Sequence, residues 1–368
     1  MDLYKILITV CFSLFFAQPG SAQLQPLANN TTSQINAFIS SDTWRQAGAS
    51  RIEQSSGTAL LNGVIQAPPL QTSVLLLGDM LPGIGDKKGH WFDAKIKKDG
   101  YASFFSEFSS LIKASDIVAG NLEGTLTLSK VKKIKEFRFK GNPQVAKDLK
   151  DSGLSILILA NNHSFDFGPE GIHDTLNALH KNGLYTIGAG NSYEETYKPL
   201  IIDKNGMRFG FMAFSDIGTP SYDNVASAKN SYISEMIAQA KQKVDFLIVS
   251  FHWGVEKTLK PTERQIQLAH MAADAGADVV FGHHPHYAQT FEKYNNTLVF
   301  YGLGEFIFYR SSRNQEIVSL KFNKNGELKT IDYSIIPIII FNGKPYYLNP
   351  DFGSKPETEK SATGELPQ

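Results

Sequence analysis

Residues 74–79 have the sequence VLLLGD, in which four large apolar residues lead through a glycine to a carboxylate. An uninterrupted apolar run of this length is typical of a strand that is buried on both faces. Similar runs end in polar residues at 116–123, 155–163, 245–252 and 278–286. Helical periodicity lies between the runs, most clearly at 169–181 and 262–275. This alternation predicts an α/β fold in which a sheet is covered by helices on both faces.

Composition narrows the class of protein. The chain has 368 residues, of which 42% are hydrophobic and 20% are charged, as is usual for a folded globular protein. Its 36 Lys and Arg residues balance its 36 Asp and Glu residues. Most nucleic-acid-binding proteins have a basic excess, so we expect no nucleic-acid partner. Cys11 is the only cysteine, which excludes a disulfide framework and a cysteine-based zinc site.

The two ends of the chain differ in composition from the middle. Residues 6–16 form an apolar run after Lys5, and small residues follow up to Ala22; this is the pattern of a secretory signal peptide over residues 1–22. The alternative is that the run stays uncleaved and is the protein's one contact with a membrane. We predict export to the periplasm or the cell exterior. We also predict a polar linker at 23–72, a domain at 73–350 and a disordered tail at 351–368.

Side chains that can bind metal ions follow the apolar runs. They are Asp79, Glu123, Asn162, His163, His252, His284 and His286. In an open α/β sheet, ligands bind beyond the carboxyl ends of the strands, so we expect these side chains to share one cleft. Any one of them alone is equally well explained as a turn residue or a helix cap. Oxygen and nitrogen donors suit Mn, Fe, Zn or Mg, and two ions about 3.5–4 Å apart would need a bridging carboxylate, for which Glu123 is the candidate.

Five motifs occur along the chain. They are GDM at 78–80, NLEG at 121–124, ANNHSFD at 160–166, HWG at 252–254 and GHHPH at 282–286. Over residues 73–308 the chain thereby resembles the CapA-type bacterial capsule (poly-γ-glutamate) biosynthesis proteins, a family similar in fold to the calcineurin-like metallophosphoesterases. The resemblance implies a layered metallophosphoesterase-like sandwich, with mixed sheets flanked by helices and a binding site at the C-terminal ends of the strands. It also implies two divalent metal ions.

Roles for individual residues follow from the resemblance. Asp79 and His286 would bind the first metal ion, and Glu123 would bridge both ions. The second ion would be held by Asn162, His252 and His284. His163 would protonate the leaving group, and Asp166 would orient His163 and hold its tautomer.

The chain departs from these families at three positions. Leu81 stands two residues after Asp79, where metallophosphoesterases usually have a histidine. The bridging candidate is a glutamate rather than an aspartate. Glu305 stands where the family usually has asparagine, and it is a candidate for a further carboxylate near the site. Ligation through His283 and His286 also stays open as an alternative to His284 and His286.

The resulting hypothesis is an exported metal-dependent hydrolase of capsule or poly-γ-glutamate biosynthesis or turnover, in which two metal ions activate water. Its partner would be an anionic polymer such as poly-γ-glutamate. Arg138 and Lys140 share one face of an extended segment and would bind that polymer; the alternative is that they belong to a solvated strand face. Two other functions stay open: a phosphoesterase acting on nucleotides or phosphorylated sugars, and a non-catalytic protein that handles the polymer.

Overall fold

Two mixed β-sheets lie at the centre of this computed structural model, which describes residues 69–85, 91–218 and 224–348. The predicted signal peptide at 1–22, the predicted tail at 351–368 and the predicted linker up to residue 68 lie outside the described residues. The first strand begins at Leu70, within the last residues of the stretch predicted as linker. Among the described residues, no helix is both long enough and apolar enough to span a bilayer.

Strands and helices alternate along the described chain. The strands are β1 (Leu70–Met80), β2 (Ile117–Leu122), β3 (Thr125–Leu126), β4 (Lys140–Gly141), β5 (Ile156–Ile158), β6 (Tyr185–Ile187), β7 (Leu200–Lys204), β8 (Met207–Ser215), β9 (Phe246–His252), β10 (Val279–His283), β11 (Phe291–Tyr294), β12 (Thr297–Phe300), β13 (Glu305–Ile307), β14 (Ser312–Asn325), β15 (Leu328–Phe341) and β16 (Lys344–Tyr347). The helices are α1 (Trp91–Asp99), α2 (Ser109–Ala114), α3 (Val145–Asp151), α4 (Gly168–Lys181), α5 (Tyr193–Tyr197), α6 (Ile233–Lys241) and α7 (Glu263–Asp274). A 3₁₀ helix occupies Tyr101–Phe108, between α1 and α2.

Each of the two sheets has parallel strands at its centre. The first sheet has eight strands in the order β16-β15-β14-β1-β2-β5-β6, with β13 paired to the end of β1. In it β1, β2, β5 and β6 are parallel, whereas β14, β15 and β16 are antiparallel to their neighbours. The second sheet has six strands in the order β11-β12-β10-β9-β8-β7, and β8, β9, β10 and β12 are parallel. Within each sheet, the strands that lead to candidate ligands therefore end on the same side.

The apolar side chains of the sheets form three cores. In β1, Val74 and Leu76 point into a core that the two sheets share, where they join Phe211 of β8. Leu75 and Leu77 alternate with them and face a second core, beneath α1 to α4. A third core packs the second sheet against α6 and α7. Burial on both faces explains why these strands are apolar at successive positions, and the predicted layered α/β fold is confirmed.

One predicted helix takes a different form. Apolar spacing at 101–113 predicts a helix, but residues 101–108 form a 3₁₀ helix, and α2 follows it. The rings of Phe105 and Phe108 both contact the ring of Phe306 in β13, with centroids 5.8 and 5.7 Å apart. A 3₁₀ helix places residues three apart directly above each other, and this winding lets both rings meet the same partner.

A shift of register near the end of β1 positions Asp79. The pairing of β1 with β2 shifts between Leu77 and Asp79, and Gly78 lies at that shift. The chain before β13 passes so close that a Cβ on Gly78 would lie 2.2 Å from the carbonyl oxygen of Gly304. The N–H of Asp79 donates to the same oxygen at 2.8 Å. Glycine at position 78 therefore allows the close backbone approach that holds Asp79.

Replacing Gly78 with alanine should lower the free energy of unfolding by about 2–4 kcal/mol, because backbone atoms of Gly304 cannot swing aside as a flexible side chain would. Gly326→Ala is the matched control. No heavy atom lies within 4 Å of the Cβ that it would add, and its φ is +60°, so only the left-handed backbone should cost about 1–2 kcal/mol. Urea denaturation followed by circular dichroism measures both variants. Equal losses would mean that the close approach at Gly78 is unimportant.

Candidate metal centre

Polar side chains collect where the parallel strands of both sheets end. The first sheet supplies Asp79 in β1, Glu123 directly after β2, and Asn162 and His163 after β5; the second supplies His252 at the end of β9, and His284 and His286 after β10. All are buried except Asn162, which is half-buried. The structure thus brings together the residues that the sequence singles out at the strand ends.

Glu123 lies at the middle of this cluster. Its carboxylate belongs to a group with Asp79 and His286, in which one potential ligand atom from each residue lies within 4.8 Å of the others. It also belongs to a second such group with His252 and His284. Both oxygens of Glu123 are buried and have no hydrogen-bond partner among the described residues. A carboxylate shared by two ligand groups has the position that a bridge between two cations requires.

Two donors hold Asp79, and two imidazole rings lie close to it. The amide Nδ2 of Asn121 donates to its Oδ1 at 2.8 Å, and the backbone N–H of His284 donates to its Oδ2 at 3.3 Å. Ring nitrogens also lie near it: Nδ1 of His286 is 3.3 Å from Oδ2, and Nδ1 of His283 is 3.0 Å from Oδ1. Neither ring nitrogen has hydrogen-bond geometry. An approach of His286 to Asp79 without a hydrogen bond is expected of two ligands that face one cation.

The second group is built from both sheets. Nε2 of His252 lies 3.1 Å from the side-chain Oδ1 of Asn162. The rings of His252 and His284 lie with their centroids 4.9 Å apart. The Nδ1 atoms of both histidines are buried, and neither has a hydrogen-bond partner within the described chain. Two imidazoles, an amide oxygen and the shared carboxylate therefore face a common space.

Between the two open alternatives, the geometry favours His284 with His286. His284 belongs to the group around Glu123, and His286 belongs to the group around Asp79. His283 ends β10, is fully buried, and approaches only the Oδ1 side of Asp79. His284 and His286 have φ values of 92° and 57°. Left-handed conformations are uncommon for residues with a side chain, and here the unusual backbone turns both rings towards the cluster.

Burial and crowding change the pKa values of the carboxylates. Burial raises the pKa of Glu123 to about 8, although the nearby His286 opposes the rise. Burial also acts to raise the pKa of Asp79, but His283 and His286 together hold it well below its ordinary value. In Glu305, burial raises the pKa despite His286 and Arg310. Three carboxyl groups thus compete for neutralisation in one buried region.

The pKa values of the histidines shift in opposite directions, according to the groups around each ring. Burial lowers the pKa of His252 well below its ordinary value, and it lowers that of His284 to about 4. His286 behaves oppositely: burial acts to lower its pKa, but Glu123, Asp79 and Glu305 raise it to about 9. Glu123 and His286 therefore share at least one proton at neutral pH, whereas burial favours the neutral imidazoles of the second group. A divalent cation could take the place of such a proton, so the donor set fits such an ion.

His163 lies beside the ligand groups and pairs with Asp166. Nδ1 of His163 is 2.7 Å from Oδ2 of Asp166, and its Nε2 is 3.9 Å from Oε1 of Glu123. Burial lowers the pKa of His163, although Asp166 acts in the opposite direction. A neutral His163 would donate its Nδ1–H to Asp166, and this tautomer leaves the Nε2 lone pair free on the side of Glu123. Asp166 is fixed in turn, because its Oδ2 accepts the backbone N–H of Phe139 at 2.8 Å.

Lys135 is a site residue that sequence reasoning missed. Its ammonium donates to Oδ1 of Asp166 at 2.9 Å and to the backbone oxygen of Asn162 at 2.7 Å. It also lies 3.2 Å from Nδ1 of His163. Because the proton on that nitrogen faces Asp166, the last approach is a contact of charge rather than a hydrogen bond. The only signal in the sequence is the lysine-rich composition around it.

Arg138 and Lys140 have contacts within their own segment. Nη1 of Arg138 donates to the backbone oxygen of Lys135. Nζ of Lys140 donates to the backbone oxygen of Ser129 at 2.8 Å and lies 4.7 Å from the ring centre of Phe167. Lys140 also lines a cavity of about 700 Å³, to which none of the candidate ligands contributes. A role for Arg138 and Lys140 in binding a polymer stays a prediction.

The structure shows the surroundings of Leu81 and Glu305, two positions at which the sequence departs from the family pattern. Leu81 is buried in the core beneath α1 to α4, and its N–H donates to the backbone oxygen of Ile307 at 2.9 Å. Glu305 is fully buried beside the first ligand group, with Oε1 3.9 Å from Nδ1 of His286. Nε and Nη2 of Arg310 donate to that same oxygen at 3.1 and 2.9 Å, and Ser312 donates to the other. The extra carboxylate is thus already partly neutralised by an arginine.

Sequence comparisons with known proteins agree on one family. Residues 73–310 match the family described as bacterial capsule synthesis protein PGA_cap. The chain is 33% identical to the PGA biosynthesis protein CapA of Bacillus subtilis strain 168, over 77% of each chain. It is 30% identical to the capsule biosynthesis protein CapA of Bacillus anthracis, over 74% of this chain and 68% of that protein. A solved structure of a phosphatase from Mycoplasma pneumoniae aligns with 73% of this chain and 94% of its own, at 16% identity and a TM-score of 0.44.

Replacing Glu123 with alanine should weaken binding at both proposed metal positions by about 100-fold or more, because its carboxylate belongs to both ligand groups. His286→Ala should weaken only one position. The measurement is metal content by mass spectrometry after reconstitution with Mn²⁺ or Zn²⁺ and dialysis. Glu235→Ala, which changes an exposed acid on α6, is the control and should bind as the native chain does. Full metal content in Glu123→Ala would contradict a bridging role.

Metal binding should also depend on pH. Because burial raises the pKa of Glu123 and the nearby carboxylates raise that of His286, the pair retains at least one proton at neutral pH, and a cation must displace it. Affinity should therefore rise with pH, by about tenfold per pH unit for each proton released, until the pH exceeds the pKa of that group. Isothermal titration calorimetry in buffers of different ionisation enthalpy counts the protons. Affinity that does not change between about pH 6 and pH 8 would show that these groups are not ligands.

Proposed function

The chain belongs to the bacterial capsule synthesis protein PGA_cap family, and we propose that it is an exported, metal-dependent hydrolase that cuts the anionic polymer poly-γ-glutamate. One observation carries this proposal: the buried and unpartnered carboxylate of Glu123 lies in two ligand groups and within 3.9 Å of Nε2 of His163. A structural metal site would need the ligand groups but not a histidine held beside them. The pairing of both features supports catalysis.

Two divalent ions would be held by the chain's own donors. Asp79, Glu123 and His286 would hold the first ion, and Glu123, Asn162, His252 and His284 would hold the second. Such ions supply Lewis acidity, which activates water and stabilises the charge that develops on the substrate. Exclusion of solvent from these buried side chains strengthens every such interaction.

His163 is the proposed carrier of the proton. Asp166 holds its Nδ1–H, so its Nε2 is the atom that takes a proton and passes it to the leaving nitrogen of a cut amide bond. Lys135 contacts both members of this pair. Its positive charge lowers the pKa of His163, as burial does, which keeps Nε2 free to accept. Lys135 therefore acts as a positioning residue for the pair.

The substrate class rests on the family and on charge. The named relatives are proteins of PGA and capsule biosynthesis. Residues 129–140 contain six Lys or Arg residues and one Glu, and Lys135 of this segment reaches the site. A polymer with one carboxylate in every unit would be attracted to this segment. Export follows from the apolar run at 6–16 and the small residues after it.

The decisive assay uses full-length protein reconstituted with Mn²⁺ or Zn²⁺ and measures the shortening of poly-γ-glutamate by size-exclusion chromatography. His163→Asn should lower the rate by about 10²–10⁴-fold, because proton transfer contributes that much, while the metal content stays at the native level. His173→Asn, on the exposed face of α4, is the matched control and should keep full activity.

Two results would overturn the proposal. Turnover of a generic phosphodiester instead of the polymer, lost in His163→Asn, would make the protein a phosphoesterase. No turnover of either substrate by metal-loaded protein would make it a non-catalytic protein that handles the polymer.

A further inference from the structure

The segment 128–137 exposes aliphatic side chains beside the metal centre. Leu128 is 70% exposed, Val131 is 69% exposed, and the side chain of Ile134 is exposed completely, at 106% of its reference area. Phe137 is 39% exposed. These four residues recur at intervals of three in the sequence. Large apolar side chains at a protein surface are ordinary when single, and four of them within ten residues of chain make this segment a candidate contact surface.

Cations lie between these apolar residues. Lys130, Lys132 and Lys133 fall within the segment, Glu136 is its only acid, and the ammonium of Lys135 is already engaged with Asp166 and Asn162. The whole chain is balanced, with 36 basic and 36 acidic residues, so the positive charge here is local. A basic stretch that also offers apolar side chains matches the interfacial layer of a bilayer, where anionic headgroups lie above acyl chains.

We propose that residues 128–137 dock onto the surface of an anionic lipid bilayer. An anionic polymer would explain the lysines, but poly-γ-glutamate offers only the two methylene groups of each unit to Leu128, Val131 and Ile134. A bilayer accounts for both kinds of side chain, because the aliphatic groups enter the acyl boundary while the ammonium groups remain among the headgroups. This surface goes beyond the proposed hydrolase activity, and a docked bilayer would occupy lysines that could otherwise attract the polymer.

Residues 128–137 are held against the site by hydrogen bonds, so docking of this segment would also orient the site relative to the bilayer. Lys135 donates to Asp166 and to the backbone of Asn162, and the N–H of Lys133 donates to the backbone oxygen of Asp166 at 2.9 Å. Phe139, at the end of the same stretch, packs on the ring of His163 with centroids 4.3 Å apart. Docking through residues 128–137 would therefore bring the His163 side of the metal centre up to the headgroup layer.

The test uses full-length protein that carries a single fluorescent dye at one chosen position. Cys11 is the only native cysteine, so Cys11→Ser allows a polarity-sensitive dye to be attached at Val131→Cys. The matched control carries the dye at Leu328→Cys, which is 66% exposed at the start of β15. Pairing of Leu70 with Lys324 places that hairpin at the end of β1 opposite Asp79. Both proteins keep the N-terminal apolar run, so any insertion of that run is common to both.

Vesicles of phosphatidylcholine alone are compared with vesicles that contain about one-third phosphatidylglycerol. The dye at position 131 should shift to the blue and brighten by about threefold or more with the anionic vesicles only, and salt at about 0.5 M should reverse the change. Lys130→Gln with Lys132→Gln should weaken the apparent affinity by about 30-fold, because each lysine near an anionic surface contributes about 1 kcal/mol. The dye at position 328 should not respond.

Three outcomes would overturn the proposal. They are no response at position 131, equal responses at positions 131 and 328, and a response at 131 to soluble poly-γ-glutamate without any response to anionic vesicles. The last outcome would assign the segment to the polymer. Matching thermal unfolding midpoints of the labelled proteins exclude a difference caused by misfolding.

Discussion

Crowding of buried negative charge is the constraint on which this site depends. Asp79 and Glu123 lie in one group of ligand atoms, and Glu305 lies just beyond it. Asn121 and the backbone of His284 donate to Asp79, and Arg310 and Ser312 donate to Glu305, but the carboxylate of Glu123 receives no hydrogen bond from the described chain. A buried carboxylate in this position needs either a proton or a cation. Burial raises the pKa of Glu123, which favours a proton in that place when no cation is present.

The layered fold supplies the geometry for that crowding. One sheet contributes Asp79, Glu123 and Asn162, and the other contributes the histidines, so neither sheet alone contains a complete ligand group. The core between the sheets therefore sets the spacing of the ligand atoms, with rings such as those of Phe246 and Phe322 in contact across it at 4.8 Å. A change in that core would move one half of the site relative to the other. Packing in the apolar core and the geometry of the ligand groups therefore depend on each other.

Sequence pattern was sufficient wherever a residue's neighbours along the chain determine its place. Asp79, Glu123 and His252 were predictable because each follows a buried strand, and parallel strands end together. Lys135 was not, because its contact with Asp166 depends on the path of an irregular segment. The choice between His283 and His284 stays open from the sequence. Adjacent side chains point in different directions, and only the backbone conformation shows which of the two faces the ligand cluster. The 3₁₀ winding at 101–108 follows from the position of Phe306, which comes from far along the chain.

The pairing of Asp79 with residues near the other end of the chain has a consequence for how the protein is made. The N–H of His284 reaches Asp79 across 205 residues of sequence, and β13 pairs with β1 only after that. Contacts of such high contact order form late, because the intervening chain must be ordered first. During synthesis, the ribosome adds Asp79 about 200 residues before it adds His284 and His286. A divalent ion held by both ligand groups would therefore bind only after the chain from Asp79 to His286 is complete, and it would come from the compartment in which that chain folds.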